Sequence, residues 1–309
     1  MTLLELVRLL NNARQLSTGA VLDQTLQTFV SINAGLENCD VGHINHKQQQ
    51  IIELLKSVDF DITNICNNLQ EQINTFDDAC NQQSLDMYND GLLHDTPEYL
   101  FDKNSKYFDN AFESNKYIFL EKIKTKIDWH WPAMEIRPNN GYITEHLVAC
   151  DPLYLVDTSD SMLAKVQDSW NDIYQRRVRY YTVDEQRTEI LDQLPVNQFG
   201  LVVCADFFDR RPLVLIQQYL NEIYTKLRPG GTAFFTFNDC DYPEGIENFD
   251  NFYYCYTPGH TIIDHCCSHG YIIKGLHRLN GAISYIEVQK PGTLTTIRGG
   301  QAMGKIIDI

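Results

Sequence analysis

From residue 129 to residue 290 the chain alternates short apolar segments with segments of helical spacing. Strands that are apolar on both faces occur in parallel sheets covered by helices on both sides. The alternation therefore predicts an α/β fold built on a mostly parallel sheet. The predicted parallel strands are 133–136, 153–156, 180–183, 199–204 and 232–237. The predicted helices between them are 143–149, 160–174 and 213–227.

Two further apolar segments follow the parallel part, at 270–273 and 283–288. A turn sequence, Leu279-Asn280-Gly281-Ala282, lies between them. Turns of this kind join neighbouring antiparallel strands. The sequence therefore predicts an antiparallel hairpin at one edge of the sheet.

The first part of the chain differs in composition, because no proline occurs before Pro97. A long stretch without proline favours long helices. We predict a helical arm over residues 1–95, a connector with a helix (107–124) over 96–128, and a C-terminal tail over 291–309. The predicted arm helices are 3–15, 21–36 and 43–83.

The third arm helix carries apolar residues at heptad spacing, which is typical of a coiled coil. Its length, roughly 60 Å at 1.5 Å per residue, exceeds what one small domain covers. The seam packs either on the second helix of the same chain or on another subunit; the second case makes the protein a homo-oligomer. The apolar positions are Ile44, Ile51, Leu55, Val58, Ile62, Ile65, Leu69 and Phe76.

The net charge of −16 disfavours partners with phosphate backbones or anionic membrane surfaces. The nine cysteines are scattered without a C-x-x-C pair, which argues against a zinc site or a disulfide framework. No apolar run approaches the ~20 residues that span a bilayer. These features predict a cytoplasmic protein that binds neither nucleic acid nor membranes.

Acidic residues recur where the predicted parallel strands end: Glu135, Asp157, Asp184 and Asp206. Ligands of such sheets bind outside the carboxyl ends of the strands, and a carboxylate after the second strand accepts hydrogen bonds from ribose hydroxyls. A carboxylate after the third strand is placed to accept from an adenine amino group. Each acid alone is as well explained as a solvated loop residue or a helix N-cap. Their occurrence at one edge indicates a binding site.

Several segments resemble class I S-adenosylmethionine-dependent methyltransferases over about residues 129–290. The run Glu135-Ile136-Arg137-Pro138-Asn139-Asn140-Gly141 resembles the family's E-x-G-x-G-x-G motif. Leu155–Leu163 resembles its second strand and following helix start. Leu227-Arg228-Pro229-Gly230-Gly231 resembles its L-[KR]-P-G-G turn, and Phe199–Val203 its F-D-L-V-V strand, with Gly200 where Asp is usual.

The resemblance implies a Rossmann-like methyltransferase sheet, S-adenosylmethionine as cofactor, and methyl transfer to a small molecule or a protein. It assigns no catalytic residue, because methyl transfer depends on placement more than on a base. Asp209 and His260 lie on loops expected near the site, and His265 and His269 on the following helix. The predicted cofactor-binding residues are Glu135, Arg137, Asn139, Gly141, Thr144, Asp157, Thr158, Met162, Asp184, Glu185 and Asp206.

The glycine motif departs from the family pattern, because Arg137 and Asn139 stand at two glycine positions. Glycine adopts positive φ at no steric cost, Asn tolerates it, and Arg does so poorly. In an adapted site, Arg137 binds the methionine carboxylate. In a site that has lost its cofactor, Arg137 has ordinary helical or extended backbone and fills the space.

Two functions therefore stay open. The first is an enzyme that transfers methyl groups and assembles through its arm. The second is a non-catalytic structural or assembly protein that keeps the fold as a scaffold. The arm also resembles, at Leu16-Ser17-Thr18-Gly19 and Gly42-His43-Ile44-Asn45-His46, the amino-terminal region of methyltransferase-like proteins of large tailed bacteriophages.

Overall fold

The computed structural model describes residues 67–68, 70–93, 110–279 and 281–294. The chain divides into two compact units, residues 1–80 and residues 81–309. The described residues of the first unit are helical. Residues 70–89 form helix α1, which ends beyond its predicted end at Gln83. The first two predicted arm helices and the heptad positions from Ile44 to Leu69 lie outside the described residues. A coiled coil and an oligomer therefore stay predictions.

The second unit is built on a seven-stranded sheet in the order β3-β2-β1-β4-β5-β7-β6. The first five strands are parallel, and β7 pairs antiparallel with both β5 and β6. This confirms the predicted Rossmann-like sheet, mostly parallel with an antiparallel edge pair. The strands are β1 (Ala133–Ile136), β2 (Leu153–Asp157), β3 (Val178–Thr182), β4 (Phe199–Cys204), β5 (Leu227–Asn238), β6 (Ile272–Arg278) and β7 (Ile283–Gln289).

Helices cover the sheet, and one predicted helix is divided in two. The predicted helix 160–174 is two helices, because Asn171 has extended backbone and its side chain accepts the Ile173 N–H, which caps a new helix. The helices are α2 (Asn110–Lys124), α3 (Thr144–Leu147), α4 (Asp160–Asp168), α5 (Asp172–Gln175), α6 (Leu213–Lys226), α7 (Pro243–Asp250) and α8 (Gly259–Ser268), with a 3-10 turn at Phe208–Arg210.

Two apolar cores lie on opposite faces of the sheet. One joins strand residues such as Met134 to Ile216 and Tyr219 of α6. The other joins alternate strand residues, including Leu155, to Phe119 of α2. Burying each such side chain stabilises the fold by about 1.5–3 kcal/mol. The two cores fix the strand register, and with it the carboxyl edge of the sheet.

Gly200 of β4 lies where the packing leaves no room for a side chain. A Cβ atom on this residue would lie only 2.7 Å from Trp131 Cβ. The Trp131 ring is held in place by the Arg228 guanidinium, whose carbon lies 3.4 Å from the ring centroid. Glycine therefore leaves room for an indole that any side chain at position 200 would displace.

We expect Gly200→Ala to lower the free energy of unfolding by about 1–3 kcal/mol, because an added methyl group in a packed site displaces its neighbours. Urea denaturation measures the change. In a Trp131→Ala background the same substitution should cost much less, since the two residues are in contact. An equal cost in both backgrounds would show that Trp131 is not the obstacle.

Candidate functional site

The crevice of the sheet lies between β1 and β4. The chain passes from β1 to β2 on one side and from β4 to β5 on the other. In open α/β sheets, ligands bind outside the carboxyl ends of the strands at such a switch point. The segments at this position are residues 137–143 after β1 and residues 205–210 after β4.

Three residues of the loop after β1 have a left-handed backbone with positive φ. The φ angles are 58° at Arg137, 50° at Asn139 and 79° at Gly141. The Arg137 N–H donates to Val156 O (2.7 Å), and its Nε donates to Asn139 Oδ1 (3.0 Å). A left-handed arginine costs about 1–2 kcal/mol. The loop is therefore strained at Arg137. A relaxed loop would have helical or extended backbone at this residue.

Asp157 ends β2 and is 5% exposed. Its Oδ1 accepts the Ser159 N–H at 2.9 Å, whereas its buried Oδ2 has no hydrogen-bond partner in the described part of the chain. Burial raises the pKa of Asp157, and the Ser159 N–H and the Arg137 charge oppose that rise. A buried polar atom without a partner is costly, so Oδ2 is available to a donor from a ligand.

Glu135 of β1 is also buried, and its Oε2 lacks a partner among the described residues. Burial raises the pKa of Glu135 to about 8, although the Thr144 hydroxyl acts in the opposite direction. The carboxyl is therefore largely neutral at pH 7 and can donate a hydrogen bond as well as accept one.

The loop after β4 supplies two buried acids. Asp206 has a φ of 54°, and its N–H donates to Thr236 Oγ1 at 2.7 Å. Asp209 is 2% exposed, and neither of its carboxylate oxygens has a hydrogen-bond partner among the residues that the structure describes. Burial raises the pKa of Asp209, while Arg137 and then Arg210 lower it. The Arg137 guanidinium carbon lies 5.9 Å from the centroid of the Phe207 ring, so the loop after β1 approaches the loop after β4.

The remaining predicted site residues differ in accessibility. Gly141 and Thr144 are buried beside the β1 loop, Thr158 is exposed, and Met162 is partly buried. Asp184 is exposed after β3, and its Oδ1 accepts the Gln186 N–H at 2.9 Å.

Glu185 is engaged with the protein itself. Its carboxylate accepts from Arg211 Nε (2.7 Å), Tyr88 OH (2.6 Å) and Tyr219 OH (3.0 Å). Its side chain is only 7% exposed. The structure therefore places Glu185 in a buried network that joins helix α1 to the loops after β3 and β4.

The histidines have partners that the sequence pattern does not indicate. His260 Nδ1 lies 2.7 Å from Asp241 Oδ1, and the His260 N–H donates to Asp241 Oδ2 at 2.8 Å. His265 Nε2 lies 2.8 Å from Asn221 Oδ1 on α6, which gives it a role in helix packing. Asp241 is the residue that sequence reasoning missed, because it is distant from His260 along the chain.

Within the described residues, no group of three or more metal-ligating side chains is present. No helix of that same part is long and apolar enough to cross a membrane.

Comparison with known proteins gives fold similarity only. No protein-family model matches the chain, and no curated protein matches it. An S-adenosylmethionine-dependent methyltransferase from Mesorhizobium loti is similar over 59% of this chain and 100% of its own, with 12% identity and a TM-score of 0.46. One from Aquifex aeolicus covers 59% and 99%, with 12% identity and a TM-score of 0.42. The N-methyltransferase NodS from Bradyrhizobium japonicum covers 59% and 98%, with 15% identity and a TM-score of 0.45.

Proposed function

We propose that the chain is an S-adenosylmethionine-dependent methyltransferase whose cofactor lies at the carboxyl ends of β1, β2 and β4. The observation that carries the proposal is the buried Oδ2 of Asp157 at the end of β2, which has no hydrogen-bond partner within the described residues. The left-handed backbone of Arg137 supports it, because strain of this kind persists at ligand-binding loops. The motifs around these residues resemble those of the same family.

The side chains at this edge fit the cofactor. Asp157 would accept hydrogen bonds from the two ribose hydroxyls. The exposed Asp184 would lie beside the adenine, and the Arg137 guanidinium would bind the methionine carboxylate. When bound, S-adenosylmethionine supplies a methyl group activated by its sulfonium. The acceptor is a small molecule or a protein side chain.

Titration calorimetry with S-adenosylhomocysteine tests the proposal. We expect Asp157→Asn to weaken binding at least tenfold, because each hydrogen bond to a charged acceptor contributes about 1.5–3 kcal/mol. Asp168→Asn is the matched control: it removes one exposed carboxylate from α4 and should leave binding unchanged. No binding to the wild type at millimolar ligand, or equal binding by the Asp157 variant, would refute the proposal.

A further inference from the structure

The end of helix α1 packs into the second unit, to which residues 81–89 belong. Ser84 is fully buried and Met87 is 1% exposed. The Ser84 hydroxyl accepts the buried Tyr256 N–H at 2.8 Å. Tyr256 follows Cys255, whose N–H donates to Asp209 O in the loop after β4. The end of α1 is therefore bonded to a segment that lies at the carboxyl edge of the sheet.

Tyr88 makes the second attachment of α1. Its hydroxyl donates to Glu185 Oε2 at 2.6 Å, whereas Arg211 Nε donates to Glu185 Oε1 at 2.7 Å. The Arg211 guanidinium carbon also lies 5.5 Å from the centroid of the Tyr88 ring. One carboxylate therefore joins α1 to the loop after β3 and to the segment that follows the 3-10 turn after β4.

These attachments lie beside residues to which the proposed function gives a ligand. Asp184, placed beside the adenine, directly precedes Glu185 in the loop after β3. If the end of α1 were to leave the fold, Glu185 would lose the Tyr88 hydroxyl, and the buried Tyr256 N–H would lose its acceptor. Buried polar groups without partners are unfavourable, so the loops would rearrange. A ligand that needs the present loop geometry would bind the rearranged form less well.

We propose that the last six residues of α1, 84–89, form a strap whose docking is coupled to cofactor binding. The strap opens from the cofactor-free protein and stays docked when the cofactor is bound. This inference rests on the proposed function and adds a regulation of the same site. Coupling between two binding events is reciprocal, so any interaction that loosens α1 lowers the affinity for the cofactor.

Hydrogen exchange followed by mass spectrometry tests the coupling in the wild-type full chain. A ligand that binds only the docked form lowers the open population by the factor 1 + [L]/Kd. We therefore expect the amides of residues 84–89 to exchange about tenfold more slowly when S-adenosylhomocysteine is raised from 10 to 100 times its Kd. The control is helix α5 (Asp172–Gln175), which precedes β3 at the amino edge and should exchange at an unchanged rate.

Calorimetry on a strap variant gives the reciprocal measurement. Tyr88→Ala removes the hydroxyl that Glu185 accepts and the ring beside Arg211. We expect it to weaken S-adenosylhomocysteine at least fivefold while the folded protein persists. The matched control is Tyr117→Ala, because Tyr117 is 60% exposed on α2 and should not alter binding. A purely structural role of Tyr88 would lower the melting temperature and leave the affinity of the folded protein unchanged.

The two measurements separate this inference from the proposed function. Exchange of residues 84–89 that does not depend on S-adenosylhomocysteine, or unaltered affinity in folded Tyr88→Ala, overturns the strap and leaves the cofactor site standing. Wild type that binds no S-adenosylhomocysteine in calorimetry overturns both. If Tyr88→Ala does not fold, Tyr88→Phe takes its place in the exchange measurement. Its strap should exchange roughly fivefold faster without ligand, the effect of one lost hydrogen bond, and an unchanged rate would contradict the attachment.

Discussion

Glu185→Ala is expected to lower the free energy of unfolding by about 3–5 kcal/mol, the cost of removing one partner from a buried ion pair. Arg211 would remain desolvated, with only 12% of its side chain exposed and no carboxylate to receive its Nε. Tyr88 and Tyr219 would each lose a charged acceptor. The loss reaches four parts of the fold, because Glu185 lies in the loop after β3 and accepts from side chains of α1, the loop after β4 and α6.

Urea denaturation followed by circular dichroism measures this loss. Glu189→Ala is the control, since it removes an exposed carboxylate from the same segment and should change stability by less than about 0.5 kcal/mol. Tyr88→Phe should cost about 1 kcal/mol, the contribution of one hydrogen bond. A loss below 1 kcal/mol in the Glu185 variant would mean that the network does not stabilise the fold.

The sequence predicts the bounds of a strand correctly where residues close to it in the chain determine those bounds. The bounds of β1 and β4 agree with the prediction. β5 begins at Leu227 rather than at residue 232, since Leu227 pairs with Phe199 of β4. β6 extends to Arg278 because it pairs with β7 along its length. Such pairing joins strands that are distant in the chain, so the sequence of either strand alone does not predict it.

The candidate site likewise combines residues that the sequence predicts with contacts that only the fold creates. A strand end and a motif predict Asp157 and Arg137 as site residues, and this assignment stays a proposal. Glu185 was predicted to bind the cofactor from its place after β3, yet its hydrogen-bond partner Tyr88 lies on a helix 97 residues earlier in the chain. The lack of partners at Asp209 was equally invisible, because hydrogen-bond satisfaction is a property of the folded interior.

Arg137→Gly is expected to weaken S-adenosylhomocysteine roughly 10- to 100-fold, because the guanidinium's charged hydrogen bonds to the methionine carboxylate contribute about 1.5–3 kcal/mol. The stability of the ligand-free protein should not fall. Relief of a left-handed arginine contributes about 1–2 kcal/mol, which offsets the greater chain entropy of glycine, about 0.5–1 kcal/mol. The ligand-induced rise in melting temperature should therefore be smaller in the variant than in wild type.

The same measurement separates an adapted enzyme from a scaffold protein. Arg137→Lys is the matched variant, since it keeps the charge but loses the planar fork, and its ligand-induced shift should lie between wild type and the glycine variant. In a protein that no longer uses the cofactor, the arginine would fill space that the ligand needs. Glycine at position 137 would then enlarge the shift, or a shift would arise only when Asn139→Gly also restores the loop's freedom. Either result would favour the scaffold function over the enzymatic one. A smaller ligand-induced shift in melting temperature would instead show that the left-handed Arg137 binds the ligand.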